Sequence, residues 1–328
     1  MIYRNNLKNG DLGIPWRAIQ KENFTKWEEL ASFLELPSCD PILKKSRFPL
    51  NLPRRLAAKI QKGSFSDPIL RQFLPTLAEL APQGCADPVQ DKDFQKTSCL
   101  LHKYQGRMLI VTTGACAMNC RFCFRQNYDY EPGEGFTREL AILAADKTID
   151  EVLLSGGDPL SLSNEKLANL LEKLADISHI KRIRFHTRFP IGIPERIDEG
   201  FLALMKACSK QIIFVIHVNC AEEMDDDVVL ALKKVAALGV PVLSQSTLLR
   251  GVNDSLPALK KLFLALINRG IIPYYLHQLD PVKGALHFEV PLEEGQALMK
   301  QLHAELPGYA LPRYVREEPH APGKTFYA

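Results

Sequence analysis

The chain has 328 residues, 46% of them hydrophobic and 24% charged, an ordinary globular balance for one large domain with an appendage or for two domains. The formal net charge of +3 is small for this length and gives no reason to expect a broad nucleic-acid-binding surface. No run of eighteen apolar residues occurs and the N-terminal MIYRNNLKNG lacks the apolar stretch of a signal peptide, so we expect a soluble cytoplasmic protein without a membrane segment.

Residues 1–100 are predicted to form a helical appendage. Apolar residues recur at helical spacing over residues 27–36, 53–62 and 68–74, and Pro, Ser and Gly separate these stretches. The region is locally basic through Lys44, Lys45, Arg47, Arg54, Arg55, Lys59 and Lys62. Two interpretations stay open, a solvated helix face or a surface that docks an acidic partner.

From residue 107 onward, short apolar runs alternate with amphipathic stretches. The runs predict strands over 108–113, 151–155, 182–187, 212–218, 241–246 and 272–277. Predicted helices follow them, over 137–147, 164–175, 199–207, 225–238, 256–268 and 292–306. This alternation indicates an α/β protein with a parallel sheet and right-handed crossovers. Because no Gly-rich dinucleotide turn follows the first strand, we predict a partial, TIM-like (β/α)6 barrel at 101–290, after the appendage and before a last helix and C-terminal segment at 291–328.

Polar residues stand at the ends of the predicted strands. The second strand is followed by Ser155-Gly-Gly-Asp-Pro159, and later strands end at Arg188, His217, Gln245 and His277. In barrels of this kind the chemistry gathers in the loops at the carboxyl ends of the strands. A pure scaffold would have little reason to place polar residues at each of these positions.

Eight cysteines in a chain of this length do not indicate a disulfide framework. Five are scattered and are interpreted as packing residues, namely Cys39, Cys85, Cys99, Cys208 and Cys220. The others, Cys116, Cys120 and Cys123, form a Cys-x3-Cys-x2-Cys run after the first predicted strand. Three thiolates can bind three irons of a [4Fe–4S] cluster and leave the fourth iron open. A structural zinc site would need a fourth ligand, and no candidate stands nearby.

This spacing resembles the radical S-adenosylmethionine superfamily. From about residue 100 onward, the chain more closely resembles the lysine 2,3-aminomutase family. The matching stretches are Cys120-Arg-Phe-Cys-Phe-Arg125, Leu154-Ser-Gly-Gly-Asp-Pro159, Gln245-Ser-Thr-Leu-Leu-Arg-Gly-Val-Asn-Asp254, Pro273-Tyr-Tyr-Leu-His277 and Pro322-Gly-Lys-Thr325. Within the family, residues 277–288 are most similar to the branch that makes β-lysine for attachment to elongation factor P.

The resemblance implies how S-adenosylmethionine is bound. In the family the open iron chelates its amino and carboxylate groups, and electron transfer yields a 5′-deoxyadenosyl radical. Gly156 and Gly157 would allow close backbone approach to this cofactor, and Asp158 would sit near its ammonium group. His217 and Gln245 match positions that contact the same cofactor. Each of these two side chains could also be an ordinary hydrogen-bonding residue at a strand end.

The resemblance also implies a second cofactor, pyridoxal 5′-phosphate. Lys324 aligns with the lysine that binds it, so residues 291–328 would end in a cofactor-binding segment. Tyr104 and Arg107 fall where the family contacts the same cofactor, and an Arg suits its phosphate.

For the substrate, the resemblance implies three charge partners. Arg125 matches the residue that binds the α-carboxylate, and Asp280 and Glu317 match the acids that hold the remote ammonium. The last two could instead be surface carboxylates. An acid pair favours lysine over glutamate as substrate but leaves arginine open.

The sequence departs from the free-lysine mutases of the family at several positions. His277 replaces a Tyr near the pyridoxal ring, Phe122 replaces a His between the cysteines, and Glu317 and Ser255 stand where those mutases have Asp and Cys. Only four residues follow Lys324, so the zinc-binding tail of the larger mutases has no counterpart here. These departures favour the elongation factor P branch and leave a homo-oligomer open.

The reaction that the resemblance implies exchanges the 2-amino group and a C3 hydrogen of L-α-lysine, giving (R)-β-lysine. Its expected partners are an external electron donor of the flavodoxin or ferredoxin type and elongation factor P or its ligase, which resembles a lysyl-tRNA synthetase. Two alternatives remain, a 2,3-aminomutase for arginine or glutamate and a non-catalytic metal-binding module acting through the basic N-terminal region.

Overall fold

A computed structural model describes residues 15–37, 42–43, 46, 48–131 and 135–328. Cys39 and three residues of the basic stretch, Lys44, Lys45 and Arg47, lie outside the described residues.

One mixed sheet forms the centre of the protein, with its strands side by side in chain order. The strands are β1 (Gln95–Thr97), β2 (Leu100–Tyr104), β3 (Arg107–Val111), β4 (Glu151–Ser155), β5 (Arg182–Thr187), β6 (Gln211–His217), β7 (Val242–Thr247), β8 (Ile272–His277), β9 (Arg313–Arg316) and β10 (Thr325–Phe326). Strands β3 to β9 are parallel, whereas β1 and β2 at one edge and β10 at the other are antiparallel to their neighbours. Among the described residues β1 and β10 do not pair, so the barrel is partial.

Strands β3 to β8 are the six that the sequence predicts, and the predicted α/β fold with a partial barrel is confirmed. The sequence did not predict β9, the seventh parallel strand, or the short β10 that pairs with it. Strand β1 also differs from the prediction, because it lies inside the region that was expected to be helical. It forms a hairpin with β2, which begins at Leu100 and continues into the predicted barrel region. Leu100 and Leu101 are buried there because β2 extends the barrel sheet beside β3.

The helices are α1 (Trp16–Lys21), α2 (Trp27–Phe33), α3 (Arg54–Ala57), α4 (Pro68–Arg71), α5 (Thr137–Ala145), α6 (Asn164–Asp176), α7 (Phe189–Gly192), α8 (Glu199–Ala207), α9 (Asp226–Ala236), α10 (Leu256–Ile267) and α11 (Leu292–Glu305). The six predicted barrel helices appear as α5, α6 and α8 to α11. Side-chain caps fix where several begin: Ser163, Asp198 and Asp225 each accept a hydrogen bond from a backbone N–H in the first turn. No helix among the described residues is long and apolar enough to cross a membrane.

The N-terminal helices pack into the same core as the barrel. Leu30, Leu56 and Phe73 belong to one buried cluster with Phe185 and Phe214 of β5 and β6. The predicted boundary at residue 100 therefore does not coincide with a break in the hydrophobic core. The division of the chain at this residue stays a prediction.

The basic residues of α3 and the turn after it are engaged within the protein. Arg55 lies 2.5 Å from both Glu195 and Asp227, and Lys59 lies 2.9 Å from Asp225. These acids belong to the barrel, so the cations attach the N-terminal region to it. Neither a solvated face nor a free docking surface describes Arg55 and Lys59.

The four scattered cysteines that the structure describes are free thiols in different surroundings. Cys99 and Cys220 are buried, as their interpretation as packing residues requires, and Cys208 is half-buried. Cys85 is exposed, so that interpretation is wrong for it. Its backbone, rather than its side chain, makes the local contacts, with Pro281 and Lys283.

Candidate active site

The sheet curves around a cavity of about 560 Å³, to which each strand from β2 to β9 contributes wall residues. Every site residue that the sequence predicts lines this cavity: Tyr104, Arg107, Cys116, Cys120, Cys123, Arg125, Gly156, Gly157, Asp158, His217, Gln245, Asp280, Glu317 and Lys324. Residues separated by more than two hundred positions in the chain thus share one enclosed space. The cavity volume falls in the range usual for sites that bind small molecules and cofactors.

The loop that carries the three cysteines follows β3 and is held by the N-terminal region. Its backbone exchanges hydrogen bonds with that region at successive positions: Gln20 Nε2 to Cys116 O (3.1 Å), Asn23 Nδ2 to Ala117 O (2.8 Å), Asn119 N to Asn51 O (3.0 Å) and Arg121 N to Gln72 O (2.8 Å). The Arg121 side chain is fully buried and pairs with Glu79. We call this set of contacts the loop clamp. The N-terminal region is therefore part of the site.

The three thiols are poorly placed to ionise by themselves. Burial raises the pKa of Cys116, Cys120 and Cys123, the last to about 11; the neighbouring thiols add to the shifts of Cys116 and Cys123, and Arg188 opposes that of Cys120. Thiolates at this place need a strong local positive charge, which the irons of a cluster supply. In the part of the chain that the structure describes, no three His, Cys, Asp or Glu side chains are arranged to share one metal ion. The fit to a [4Fe–4S] cluster therefore rests on the chemistry of the three thiols and on their shared cavity wall.

Gly156 and Gly157 bring the loop after β4 against the cysteine loop. Gly156 has a φ of +119°, and a Cβ on it would lie 2.7 Å from the Thr113 carbonyl oxygen. A Cβ on Gly157 would lie 2.4 Å from the Ala115 oxygen. The absence of a side chain at both positions thus lets two backbones approach closely, and the expected approach to a cofactor stays a prediction.

Asp158 is buried with both carboxylate oxygens occupied. It accepts hydrogen bonds from the backbone N–H groups of Leu160, Arg188 and Phe189 and from the Thr187 hydroxyl. Burial raises its pKa to about 6 against the opposing effect of these hydrogen bonds. The carboxylate fixes the end of β5, a role that the sequence did not predict.

His217 and Gln245 are neighbours across β6 and β7, where they are paired in register. Burial, aided by the positive charge of Arg188, lowers the pKa of His217 to about 3, so its ring is neutral. The ring lies 5.4 Å from that of Phe122, and its Nε2 is 3.2 Å from Asn219 Oδ1. Both residues stand where a ligand beside the cysteines could reach them.

Five alternating charges connect Arg125 with Lys324 beside the cavity, and all of them except the buried Asp91 line it. Arg125 Nε lies 2.8 Å from Asp91 Oδ2, and Asp91 Oδ1 lies 2.6 Å from Lys103 Nζ. Lys103 Nζ is also 2.7 Å from Glu317 Oε1, while Glu317 Oε2 is 2.7 Å from Lys324 Nζ. We call this the ion chain. Burial alone would raise the pKa of Asp91, but Arg125 and Lys103 overcome it and hold that pKa below its usual range.

Asp280 faces the same wall near the end of the ion chain. Burial, and after it the negative charge of Glu317, raise its pKa to about 7 despite the opposing charge of Lys324. Nearby, the Arg107 guanidinium lies 4.6 Å from the centre of the Tyr104 ring. The Tyr104 hydroxyl is buried without a hydrogen-bond partner among the described residues. A buried donor without a partner beside a cation is an unusual arrangement unless a ligand completes it.

Sequence reasoning missed Asp91 and Lys103 and gave Arg188 no role beyond its position at a strand end. Asp91 lies in a short turn before β1, where no periodic pattern gives a signal. Lys103 directly precedes Tyr104 and could have been noticed as its neighbour. Arg188 follows β5, and its Nη1 lies 2.9 Å from Cys120 Sγ.

A partial parallel barrel with three cysteines after its first parallel strand is the architecture of a radical S-adenosylmethionine enzyme. Residues 110–262 match the Radical SAM superfamily. A radical SAM methyltransferase from Sphaerobacter thermophilus is similar in fold, with a TM-score of 0.50 over 66% of this chain and 68% of that chain at 18% identity. The superfamily implies a [4Fe–4S] cluster and S-adenosylmethionine.

Two curated relatives are similar over nearly their whole length. The L-lysine 2,3-aminomutase of Haemophilus influenzae is 38% identical over 95% of this chain and 95% of its own. The L-lysine 2,3-aminomutase of Escherichia coli is 38% identical over 94% of this chain and 93% of its own. The chain belongs to the lysine 2,3-aminomutase family of radical SAM isomerases.

Proposed function

We propose that this protein converts (S)-α-lysine into (R)-β-lysine with S-adenosylmethionine, a [4Fe–4S] cluster and pyridoxal phosphate. The observation that carries the proposal is that the three cysteines line the same cavity as Lys324 and the acids Asp280 and Glu317. The names of the relatives indicate lysine as the substrate.

When bound, the cluster and S-adenosylmethionine supply a radical that abstracts hydrogen, and pyridoxal phosphate supplies a conjugated aldehyde for amines. The residues of the cavity fit the second cofactor. Lys324 offers a primary amine, Arg107 a cation for phosphate, and Tyr104 a buried hydroxyl without a partner among the described residues. Around the first cofactor, we assign contacts to His217 and Gln245 and to the backbone at Gly156 and Gly157.

Asp158 takes a modified role in this proposal. Its two oxygens already accept hydrogen bonds from four donors, of which Thr187, Arg188 and Phe189 stand at the end of β5. We therefore assign it chiefly to holding the loop shape, with its negative charge favouring the ammonium group of S-adenosylmethionine at longer range. Its raised pKa of about 6 leaves it ionised at neutral pH.

The two acids of the cavity wall recognise the remote ammonium of the substrate. Glu317 Oε2 contacts Lys324 Nζ, while Lys103 holds Oε1. When Lys324 binds pyridoxal phosphate, Glu317 Oε2 no longer contacts its amino group. This oxygen can then accept a hydrogen bond from the substrate ammonium, with Asp280 as the second acceptor. A glutamate side chain would bring a third carboxylate to the same place, so it is disfavoured.

Arg125 is suited to the α-carboxylate. Its Nε is bound by Asp91, whereas Nη1 makes only a 3.4 Å contact with Ser155 Oγ. The guanidinium is thus held on one edge and offers donors on another. Two opposite charge partners on a rigid wall orient a zwitterionic diamine for reaction at carbons 2 and 3.

Anaerobic incubation of the reconstituted protein with a reductant and each of lysine, arginine and glutamate tests the assignment. We expect a 3-amino product from lysine alone, identified as (R)-β-lysine by chiral chromatography, and none from the Lys324→Ala variant. Turnover of arginine or glutamate in place of lysine would reassign the substrate. A protein that binds neither pyridoxal phosphate nor S-adenosylmethionine would instead be a metal-binding module.

The product is proposed to serve modification of elongation factor P in the cytoplasm, with a flavodoxin or ferredoxin as electron donor. This step rests on the similarity of residues 277–288 to that branch. Deleting the gene and measuring the intact mass of elongation factor P tests it. Loss of a lysyl-sized modification, restored by added (R)-β-lysine, is expected, and an unchanged mass would assign the product to another pathway.

A further inference from the structure

A buried guanidinium contacts one of the three thiols at the end of β5. Arg188 is only 6% exposed, and its Nη1 lies 2.9 Å from Cys120 Sγ. Its Nη2 donates to Gln72 Oε1 at 2.7 Å and to Glu223 Oε2 at 2.9 Å. Gln72 and Glu223 are both fully buried. The guanidinium is therefore bound on one side by the thiol and on the other by two groups that water does not reach.

The position of this guanidinium is closely determined. Its central carbon lies 5.1 Å from the centre of the Phe73 ring and 5.3 Å from that of Phe122. The backbone N–H of Arg188 donates to Asp158 Oδ2 at 2.7 Å, which fixes the start of the side chain. A lysine at this position has no planar fork and could not make the same set of contacts.

Glu223 is fixed in turn by its own hydrogen bonds. Its Oε1 accepts from Gln72 Nε2 at 2.9 Å and from the backbone N–H groups of Asn219 and Cys220 at 3.2 Å. Burial alone would raise the pKa of Glu223, but Arg188 and Gln72 hold it below its usual range, so the pair is ionic. Arg188 contacts the Cys120 sulfur directly, whereas Glu223 lies on the far side of the guanidinium. The pair thus presents a net positive field to Cys120.

Hydrogen bonds to the sulfurs and nearby charge are main determinants of the reduction potential of an iron–sulfur cluster. A donor on a ligating sulfur stabilises the extra electron of the reduced form. We propose that Arg188 is a positioning residue that donates to the Cys120 sulfur of the bound cluster and raises the reduction potential of the cluster, with Gln72 and Glu223 fixing it there.

This inference rests on a cluster at the three cysteines and is independent of which amino acid the protein rearranges. A raised potential eases acceptance of an electron from an external donor and opposes its release to S-adenosylmethionine. Arg188 would therefore set the balance between these two steps. Gln72 belongs to the N-terminal region, so that region takes part in setting it.

The test is an anaerobic redox titration followed by electron paramagnetic resonance, without S-adenosylmethionine or amino acid present. The double variant Arg188→Met/Glu223→Gln leaves no buried carboxylate unpaired, and its midpoint potential should be more negative than that of the unaltered protein. Glu223→Gln alone should shift the midpoint in the positive direction, because only a negative charge is removed. Arg55→Met is the control, since Arg55 also pairs with barrel acids, and its midpoint should be unchanged.

Iron and sulfide content are measured for each protein, so that a lost cluster is distinguished from a shifted potential. If the double variant assembles no cluster, Arg188→Lys tests the proposal instead, because it keeps the positive charge but lacks the planar guanidinium with its several donors. A more negative midpoint in Arg188→Lys supports the proposal. A full cluster with an unchanged midpoint in either Arg188 variant would overturn it.

Discussion

Asp280 and Glu317 are carboxylates of one cavity wall, yet their surroundings shift their pKa values in opposite directions. Burial and the charge of Glu317 raise the pKa of Asp280 to about 7. Burial would also raise the pKa of Glu317, but Lys324 and Lys103 overcome it and hold that pKa well below its usual range. At neutral pH, Glu317 is therefore ionised while Asp280 is partly protonated. An approaching ammonium would pair with Glu317, and its positive charge would lower the pKa of Asp280, so that Asp280 releases its proton to water.

Lysine use should consequently depend on the ionisation of Asp280. We expect kcat/KM for lysine to rise as the pH increases from about 6 to about 8, across the raised pKa of Asp280. Asp280→Asn should lower kcat/KM by a hundredfold or more and flatten this part of the pH profile, since leaving a buried charge without its partner costs about 3–5 kcal/mol. Asp176→Asn, an exposed acid of α6, is the control and should behave like the unaltered protein. Full lysine turnover by Asp280→Asn would contradict the role assigned to this residue.

The raised pKa of Asp280 also makes the folding stability depend on pH. In the folded protein Asp280 keeps its proton above the pH at which the unfolded chain has released it. Its contribution to stability is therefore present at low pH and is lost as the pH rises from the usual range of an Asp toward 7.

The ion chain gives a second prediction for single residues. Lys103→Met removes the cation between Asp91 and Glu317, but Arg125 and Lys324 still pair with these acids. We therefore expect the free energy of unfolding to fall by about 2 kcal/mol, less than the about 3–5 kcal/mol for a buried charge left entirely alone. Chemical unfolding of the protein without cofactors would measure it.

A matched control for Lys103 is Lys62, whose pair with Glu35 is mostly exposed. Lys62→Met should change the free energy of unfolding by less than about 0.5 kcal/mol, because exposed ion pairs contribute little. Equal effects of the two substitutions would show that the ion chain has no special role in stability.

At the scale of elements, the loop clamp joins the short N-terminal helices to the cysteine loop. α1 and the turn after it supply Gln20 and Asn23, and the end of α4 supplies Gln72. A loop of this length, with no regular structure of its own, owes its shape to such contacts. The clamp should therefore control how firmly the cluster is retained.

Asn23→Ala removes the hydrogen bond to the Ala117 carbonyl and leaves that buried acceptor without its partner. We expect loss of iron to a chelator to become severalfold faster, with the far-ultraviolet circular dichroism unchanged. Asn268→Ala, at the end of α10, is the control and should release iron at the unaltered rate. An unchanged rate in Asn23→Ala would show that the clamp does not stabilise the cluster loop.

The long regular elements could be predicted from sequence, and the short ones could not. Strands β4 to β8 are five to seven residues long and are followed by amphipathic helices, so periodicity identifies them. Strand β9 has four residues, two of them Arg, and β10 has two, so neither carries a periodic signal. Their place is decided by pairing with β8 and with each other, which is tertiary information.

The same division holds for the site. The Cys-x3-Cys-x2-Cys run and the polar strand ends were visible in the sequence because one element carries each of them. Asp91 and Lys103 belong to the site only because segments that are distant in sequence lie side by side in the fold. Asp91 and Glu317 are 226 positions apart in the chain, and both contact Lys103. No local sequence pattern predicts such a contact.

At the scale of the whole molecule, one continuous core and one cavity combine the N-terminal helices, the barrel and the C-terminal hairpin. The hairpin of β9 and β10 brings Lys324 to the cavity. Glu318 stabilises this hairpin by accepting hydrogen bonds from the hydroxyl groups of Thr325 and Tyr327. The three cysteines and Lys324 reach a single reaction space only in this assembly. The proposed reaction needs both, because hydrogen abstraction and amine migration occur on adjacent carbons of one substrate.

Anaerobic turnover of lysine deuterated at carbon 3 tests whether both parts of the cavity act on one substrate. We predict (R)-β-lysine that carries deuterium at carbon 2, because the 2-amino group and a C3 hydrogen exchange places. The Cys120→Ala and Lys324→Ala variants should each form none, since both parts of the cavity are required. β-Lysine without deuterium at carbon 2, or 5′-deoxyadenosine formed with no conversion of lysine, would contradict the account.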